Sequence, residues 1–488
     1  MRFTRRLLEP NWTESSIAGQ SPVRNEKARR RPSRIERRAS AALVILACAT
    51  AGSMSASCSS KGDEQRPLES TDAGSDATIT PGDAGPDASP FDAAVRDAAP
   101  FDGGPLAIVC TEPPCAKSLV TTLRANGSDR GEGFCALLDD GTVACWGANL
   151  GGQLGRGEDA GSDDSSVPMR VAGLSEVIQL DHTCAVDKSG ETWCWGTGPF
   201  LRSTTQAWTL ERTPVKLPIP PATRVAMGEW TACAVVSDGV ICWGENRHGQ
   251  VAPIVPATRY AAHPPRAIEL PAAAPIRDLI VGNASFALRE DGTAVSWGSS
   301  ASIGRVSSIF PDPYAAPVEL DGVASIDIVG EDVCAAAAGS GYCWGPVVPK
   351  PNGSTDEGPP IGRALPEPAL VPEPVVQVAV TRTAVIYGAG SPLVEPYRWC
   401  AVAAEGHVYC WGANASGQAG DGTKEYAFEA VLTKGLPAPA VQVKTMPSST
   451  CALLTTGKIF CWGSNFYGQL GNGGPKGASV VPQEVVLP

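Results

Sequence analysis

Cys135-Ala136-Leu137-Leu138-Asp139-Asp140-Gly141-Thr142-Val143-Ala144-Cys145-Trp146-Gly147 is the stretch whose reading decides the fold. A short apolar run meets an Asp-Gly turn, and a second apolar run ends in Cys-Trp-Gly, the pattern of a tight β-hairpin. The Trp-Gly pair returns at 195–196, 243–244, 297–298, 344–345, 411–412 and 462–463, with successive tryptophans 49, 48, 54, 47, 67 and 51 residues apart. No such unit can bury a core alone, so seven of them must stack as a closed radial array or a solenoid. Fifty-three Gly and 43 Pro among 488 residues suit many short strands joined by turns.

Six hairpins carry a cysteine on each arm: Cys135 and Cys145, Cys184 and Cys194, Cys233 and Cys242, Cys334 and Cys343, Cys400 and Cys410, Cys451 and Cys461. Residues nine or ten apart across a short turn stand opposite each other on one face, within reach of a disulfide. The fourth hairpin loses both sulfurs together, with Phe286 and Ser296 in their places. Of sixteen cysteines the hairpins take twelve, Cys110 and Cys115 can bridge each other locally, and Cys48 and Cys58 remain near the N-terminus. Paired sulfur implies an oxidising compartment. Each hairpin bridge closes about 11 residues and contributes roughly 3 kcal/mol through the unfolded chain's lost entropy. Zinc is the rival reading, but it needs four converging ligands, and His182, His248, His263 and His407 do not sit beside the pairs. The tryptophan after each second cysteine points to the opposite face of its strand. The expectation is a disulfide packed on the preceding unit and a tryptophan packed on the next, as core rather than as a ligand-stacking ring.

Before the hairpins the composition changes twice. Residues 1–38 carry 11 Lys/Arg against 4 Asp/Glu, then Ala41-Ala42-Leu43-Val44-Ile45-Leu46-Ala47-Cys48-Ala49 is apolar, and small residues lead to Ser55-Ala56-Ser57-Cys58. Basic, apolar, small is the order of an export signal, placed here at 1–57. The long basic region points to a translation start nearer Val23. Cys58 is the candidate lipid-bearing residue, although Ser55 stands where an aliphatic residue is usual in a lipobox; ordinary cleavage and free secretion is the alternative. Residues 58–105 are Asp/Ala/Gly/Pro-rich, with 10 acidic and 3 basic residues from 59 onward, and read as a disordered, self-repelling tether. The two ends cancel in charge, so the repeat region, 106–488, holds the net −12 of the chain. Such a surface suits neither nucleic acid nor an anionic membrane, and contact with a membrane is expected only through a lipid anchor. No uninterrupted run of 18 apolar residues offers a spanning helix.

Units one, six and seven continue past the hairpin as Asn149-Leu150-Gly151-Gly152-Gln153-Leu154-Gly155, Asn414-Ala415-Ser416-Gly417-Gln418-Ala419-Gly420 and Asn465-Phe466-Tyr467-Gly468-Gln469-Leu470-Gly471; unit three keeps Asn246-Arg247-His248-Gly249-Gln250. The string Cys-Ala-Leu, Asp-Gly, Cys-Trp-Gly, Asn, Gly-Gln-Leu-Gly resembles the regulator of chromosome condensation repeat family over about residues 117–488, while units two, four and five lack the Gly-Gln-Leu-Gly part. The resemblance implies an all-β, seven-bladed β-propeller, here as an exported bacterial member. The C-terminal run Val480-Val481-Pro482-Gln483-Glu484-Val485-Val486-Leu487 is expected to complete the first blade, closing the ring between the chain ends and removing open edges. Insertions at 197–214, 299–317 and 346–375 are candidate binding loops.

No catalytic constellation is visible. The four histidines are scattered, and Glu158-Asp159-Ala160-Gly161-Ser162-Asp163-Asp164 lacks the ligand spacing of an EF-hand. No cofactor and no metal are expected. The resemblance implies a non-catalytic module that binds a protein partner, and β-lactamase inhibitors are among its secreted bacterial look-alikes; the export signal and Cys58 lead to the expectation of a monomer in the periplasm or on the cell surface as an outer-membrane lipoprotein, or else secreted. Two alternatives stand beside it: a guanine-nucleotide exchange regulator, as in the founding eukaryotic member, and a propeller enzyme acting on cell-envelope polysaccharide. Fold alone does not choose among them.

Overall fold

The computed structural model describes residues 103–122, 131–158, 161–345, 363–381, 384–386, 393–395 and 398–488. The export signal, Cys48, Cys58 and the tether up to 102 lie outside the described residues. Seven four-stranded antiparallel sheets follow one another along the described chain, spanning 116–170, 177–216, 222–268, 276–317, 323–369, 375–432 and 440–484. Within each, the strands are laid side by side in chain order, and first strands of neighbouring sheets touch around a common axis. The described residues contain no α-helix. The seven-bladed β-propeller is therefore the observed fold.

The blades are held by seven apolar seams, one between each neighbouring pair, blade seven against blade one included. Six of the seven seams repeat one arrangement, and between blades four and five Phe286 stands in for the cysteines. Trp195 of blade two meets Cys135 and Cys145 of blade one, Trp243 meets Cys184 and Cys194, and so around to Trp146, which meets Cys451 and Cys461 of blade seven. The orientation is the reverse of the sequence expectation: the tryptophan faces the preceding blade and the cysteine pair the following one. Alternation along a strand puts the two on opposite faces but leaves open which neighbour each face meets.

Six indole N–H groups then donate backwards across the seams: Trp146 to the Gln469 carbonyl at 3.0 Å, Trp195 to Gln153 at 2.9 Å, Trp243 to Pro199 at 2.6 Å, Trp297 to Gln250 at 2.9 Å, Trp344 to Ser302 at 2.7 Å and Trp462 to Gln418 at 2.8 Å. Burying one such ring is worth roughly 4–6 kcal/mol by area, an upper bound since unfolded chains already bury some surface. The glycine two residues past Gln153, Gln418 and Gln469 has a reason. A Cβ on Gly155 would lie 2.9 Å from the Trp195 ring, and its φ of +60° is one that side chains resist. Blades two and four reach the same geometry with other residues. Leu201 takes the glycine's place at φ 57°, and Ser302-Ile303-Gly304 replaces Gln-Leu-Gly.

Ring closure departs from the expectation. Ser479–Glu484 pairs with Ile459–Gly463 as the outer strand of blade seven, and blade one is completed by its own Ser165–Arg170. Among the described residues, no strand is exchanged between the first and last blades. The Pro-containing strand finishes a blade rather than starting one, so the first unit lacks nothing. The seam is closed by packing and polar contacts. Ile108 and Leu487 lie on its core, and the Glu132 carboxylate of blade one accepts from the Ser448 N–H at 2.8 Å and the Ser449 hydroxyl at 2.6 Å of blade seven.

The six hairpin cysteine pairs face one another in register, with Cα atoms 4.0–4.1 Å apart and sulfurs bonded, and Cys110 is bonded to Cys115. In blade four, Phe286 packs edge-on to Trp344 with centroids 6.1 Å apart. Ser296 donates to the Ile303 carbonyl, and Arg305, buried beside it, forms an ion pair of 2.8 Å with Asp312.

Candidate protein-binding face

Inner strands carry polar residues toward the axis because their free edges need partners. The Gln179 amide both donates to and accepts from the Val225 backbone, Gln377 does the same for Val443, Gln442 accepts from the Leu119 N–H, Asp181 from Met227 and Asp327 from Val380. Blades two, five, six and seven thereby satisfy part of the inner edge of the next blade. Lys444 lies 3.0 Å from Asp327; burial works to lower its pKa, but Asp327, Asp181 and Asp278 outweigh this and raise it. Asp278 keeps water contact in the bore, yet protein on every side desolvates it and pushes its pKa up against the pull of Arg224.

Where the inner strands end, all seven blades contribute to an open mouth with a cavity of about 100 Å³, lined by Thr122, His182, Met227, Ile328, Thr381 and Met446 among others. His182 sits at φ 48° and its Nδ1 lies 2.8 Å from the Thr121 carbonyl, which fixes the proton on that nitrogen. That arrangement holds a turn; it does not poise a base.

Beside the mouth, blades two and three build a stack. The Arg247 guanidinium lies 4.0 Å over the Trp230 ring and 5.3 Å from that of Tyr260, Arg259 lies 5.6 Å from Tyr260, and Trp208 meets Trp230 edge-on at 6.3 Å. Glu245, buried beneath, pairs with Arg247 and so fixes its plane. His248 is pushed down to about 4, by burial first and then by Arg259 and Arg247, so it is neutral at physiological pH. Tyr260 is 64% exposed. Trp, Tyr and Arg held rigidly beside a concavity are the residues that anchor protein interfaces.

Of the candidate loops, 197–214 supplies Trp208, although its ends are strand, since Thr192–Gly198 and Thr209–Lys216 run into it. The loop at 299–317 likewise ends in the strand Asp312–Pro317 and exposes Phe310 on the way. Within 346–375, residues 346–362 lie outside the described residues. Among the described residues, no two histidines come together as a catalytic pair. His263 is bound to the Thr258 carbonyl at 2.9 Å, and His407 lies 2.9 Å from Glu373 on the opposite face. The acidic loop at 158–164 is partly described, and its Asp164 accepts from the Asn149 N–H. One cluster had no signal in the sequence. Glu373, Glu405 and His407 bring ligand atoms within 4.8 Å of one another, but Glu373 already accepts from His407 and from the Tyr409 hydroxyl at 2.8 Å, which makes it a bonded corner of blade six.

Family models for the regulator of chromosome condensation (RCC1) repeat match residues 140–186, 222–250 and 448–469. These are RCC1 repeats. A curated relative, the ultraviolet-B receptor UVR8 of Arabidopsis thaliana, is 25% identical over 69% of this chain and 76% of its own. The E3 ubiquitin-protein ligase HERC2 of Mus musculus is 27% identical over 43% of this chain, which spans only 4% of that protein's length. Among solved structures, yeast RCC1 (Prp20) bound to Kap60 superposes with TM-score 0.56 at 18% identity, covering 71% of this chain and 84% of that one. Human WBSCR16 superposes with TM-score 0.54 at 19% identity, covering 71% and 95%. What is shared with both is the fold. RCC1-like propellers are as a class regulators or binders of proteins.

Proposed function

We propose that this chain is an exported, non-catalytic propeller, tethered to a membrane through Cys58, that binds another protein through the mouth face of blades two and three. The Arg247 stack on Trp230 and Tyr260 carries the reading: three large rings and two guanidinium groups stand at the surface in fixed positions, where a binding partner loses little of its gain to ordering them. Seven cysteine pairs support an oxidising compartment. Yeast RCC1 (Prp20), a chain of this fold, is itself found bound to another protein, Kap60.

The test is cross-linked capture from cell-envelope extract by the full chain, side by side with Trp230→Ala and Arg247→Ala. Loss of at least about 2 kcal/mol, some thirtyfold in affinity for the captured partner, is expected for each variant. Equal capture by all three proteins overturns the face assignment. Cys58→Ser, followed by acyl labelling and fractionation, tests the tether: a protein still bound to the membrane removes it.

A further inference from the structure

The outer strand of each blade presents a row of N–H and C=O groups to solvent, and a neighbouring strand can pair with such a row. Proline at an outward-facing position deletes a donor and blunts the edge. In blade one Cys145 pairs with Met169, and the residue before it is Pro168. The same register places Pro214, Pro265, Pro366 and Pro482 in blades two, three, five and seven. That position faces outward. Three residues on, the N–H of Val171, Leu217 or Val485 donates inward, main-chain groups alternate sides back to that point, and the bulge that each of these outer strands carries begins there. Blade four has Ala315 there, flanked two residues away on each side by Pro313 and Pro317.

Blade six departs from all of these. Its outer strand reads Ala427-Phe428-Glu429-Ala430-Val431-Leu432, without proline, and the Thr433 N–H donates inward to Val408, so Ala430 and Leu432 turn theirs outward. Leu432 and, beyond a bulge between 427 and 431, Phe428 are 42% and 55% exposed, and the Tyr426 ring lies 4.8 Å from that of Phe428. Lysine, the usual guard of an edge, is missing from the strand as well. The exposed charge there is Glu429, on a chain of net −12.

We propose that this edge is a strand-addition site for an extended, lysine- or arginine-bearing segment of a partner protein. Its backbone would pair with Ala430 and Leu432, its cation would meet Glu429, and an apolar side chain would cover Phe428. The site lies on the ring's circumference and does not depend on the mouth face.

The test uses the full chain and a fluorescein-labelled octapeptide of alternating lysine and valine, with an alternating glutamate and valine peptide as control, at fixed ionic strength. Saturable binding of the lysine peptide is expected, about tenfold weaker to Ala430→Pro, which leaves the ring's charge unchanged. Glu429→Lys should invert the preference between the peptides, and hydrogen exchange should slow at the amides of 430 and 432 on binding. Should Ala430→Pro fail to fold, Leu432→Lys serves in its place, with the same direction expected. Undiminished binding to the folded variant, or protection at the other outer strands instead, overturns the proposal. So does a concentration-dependent dimer that Ala430→Pro abolishes, since the occupant would then be a second copy.

Discussion

Replacing Gly471 by alanine probes the seam between blades seven and one. Its φ is +63°, and a Cβ there would lie 2.8 Å from Trp146 Nε1, 2.9 Å from Cδ1 and 3.0 Å from Val485 Cγ1. Left-handed backbone costs a non-glycine residue about 1–2 kcal/mol, and an extra methyl in a packed core about 1–3 kcal/mol. The indole bond to Gln469, worth about 1 kcal/mol, is at stake too. The sum is about 3–6 kcal/mol. Gly473 is the matched control: its φ is +67°, but the nearest atom to its Cβ is Val167 Cγ2 at 3.8 Å, so Gly473→Ala carries the backbone cost alone. Thermal unfolding under oxidising conditions, followed by tryptophan fluorescence, should place Gly471→Ala about 4–8 °C below wild type and Gly473→Ala about 1–2 °C below. Coincident melts for the two variants would refute the argument that indole contact is what demands glycine.

Two further outcomes are expected. Asp278, whose pKa is raised by burial, is held ionised at a cost above that raised value, whereas below the ordinary 3.8 it is neutral both folded and unfolded; Asp278→Asn should therefore stabilise the ring at pH 7, with the gain vanishing by pH 3, as followed by urea unfolding. Mild reductant with a thiol-alkylating reagent should label Cys110 and Cys115 first, because Cys110 is exposed while the hairpin cysteines are buried; mass spectrometry should show two labels on the folded protein and fourteen at these positions once it is unfolded.

The ring was legible because its deciding features are local. Cys-Trp-Gly after an Asp-Gly turn specifies a hairpin, and seven returns specify an array. What the sequence left open concerns relations between units. The strand around Pro168 can begin a repeat or end one with the same residues, and only pairing with Val143–Gly147 decides. Leu201 at φ 57° hides a glycine position behind an unlikely side chain, so the loop of blade two is invisible to a motif. The proposed binding face is assembled from Trp208, Trp230, Arg247 and Tyr260, which lie on three connections in two blades. Glu373 and His407 meet across 34 residues. The missing proline of blade six was in plain view, but it gains meaning only when register shows which positions face outward.

Because every sheet is cut from one uninterrupted piece of chain, no junction between blades is mechanically special. Opening the polypeptide at any of the six connections, such as 171–176, and splicing Pro488 to the segment before Ala116 would leave all seven sheets intact. A lineage of such rings is thus free to rotate its reading frame, or to gain and lose a whole blade by duplication, without first inventing a new way to fasten the ends.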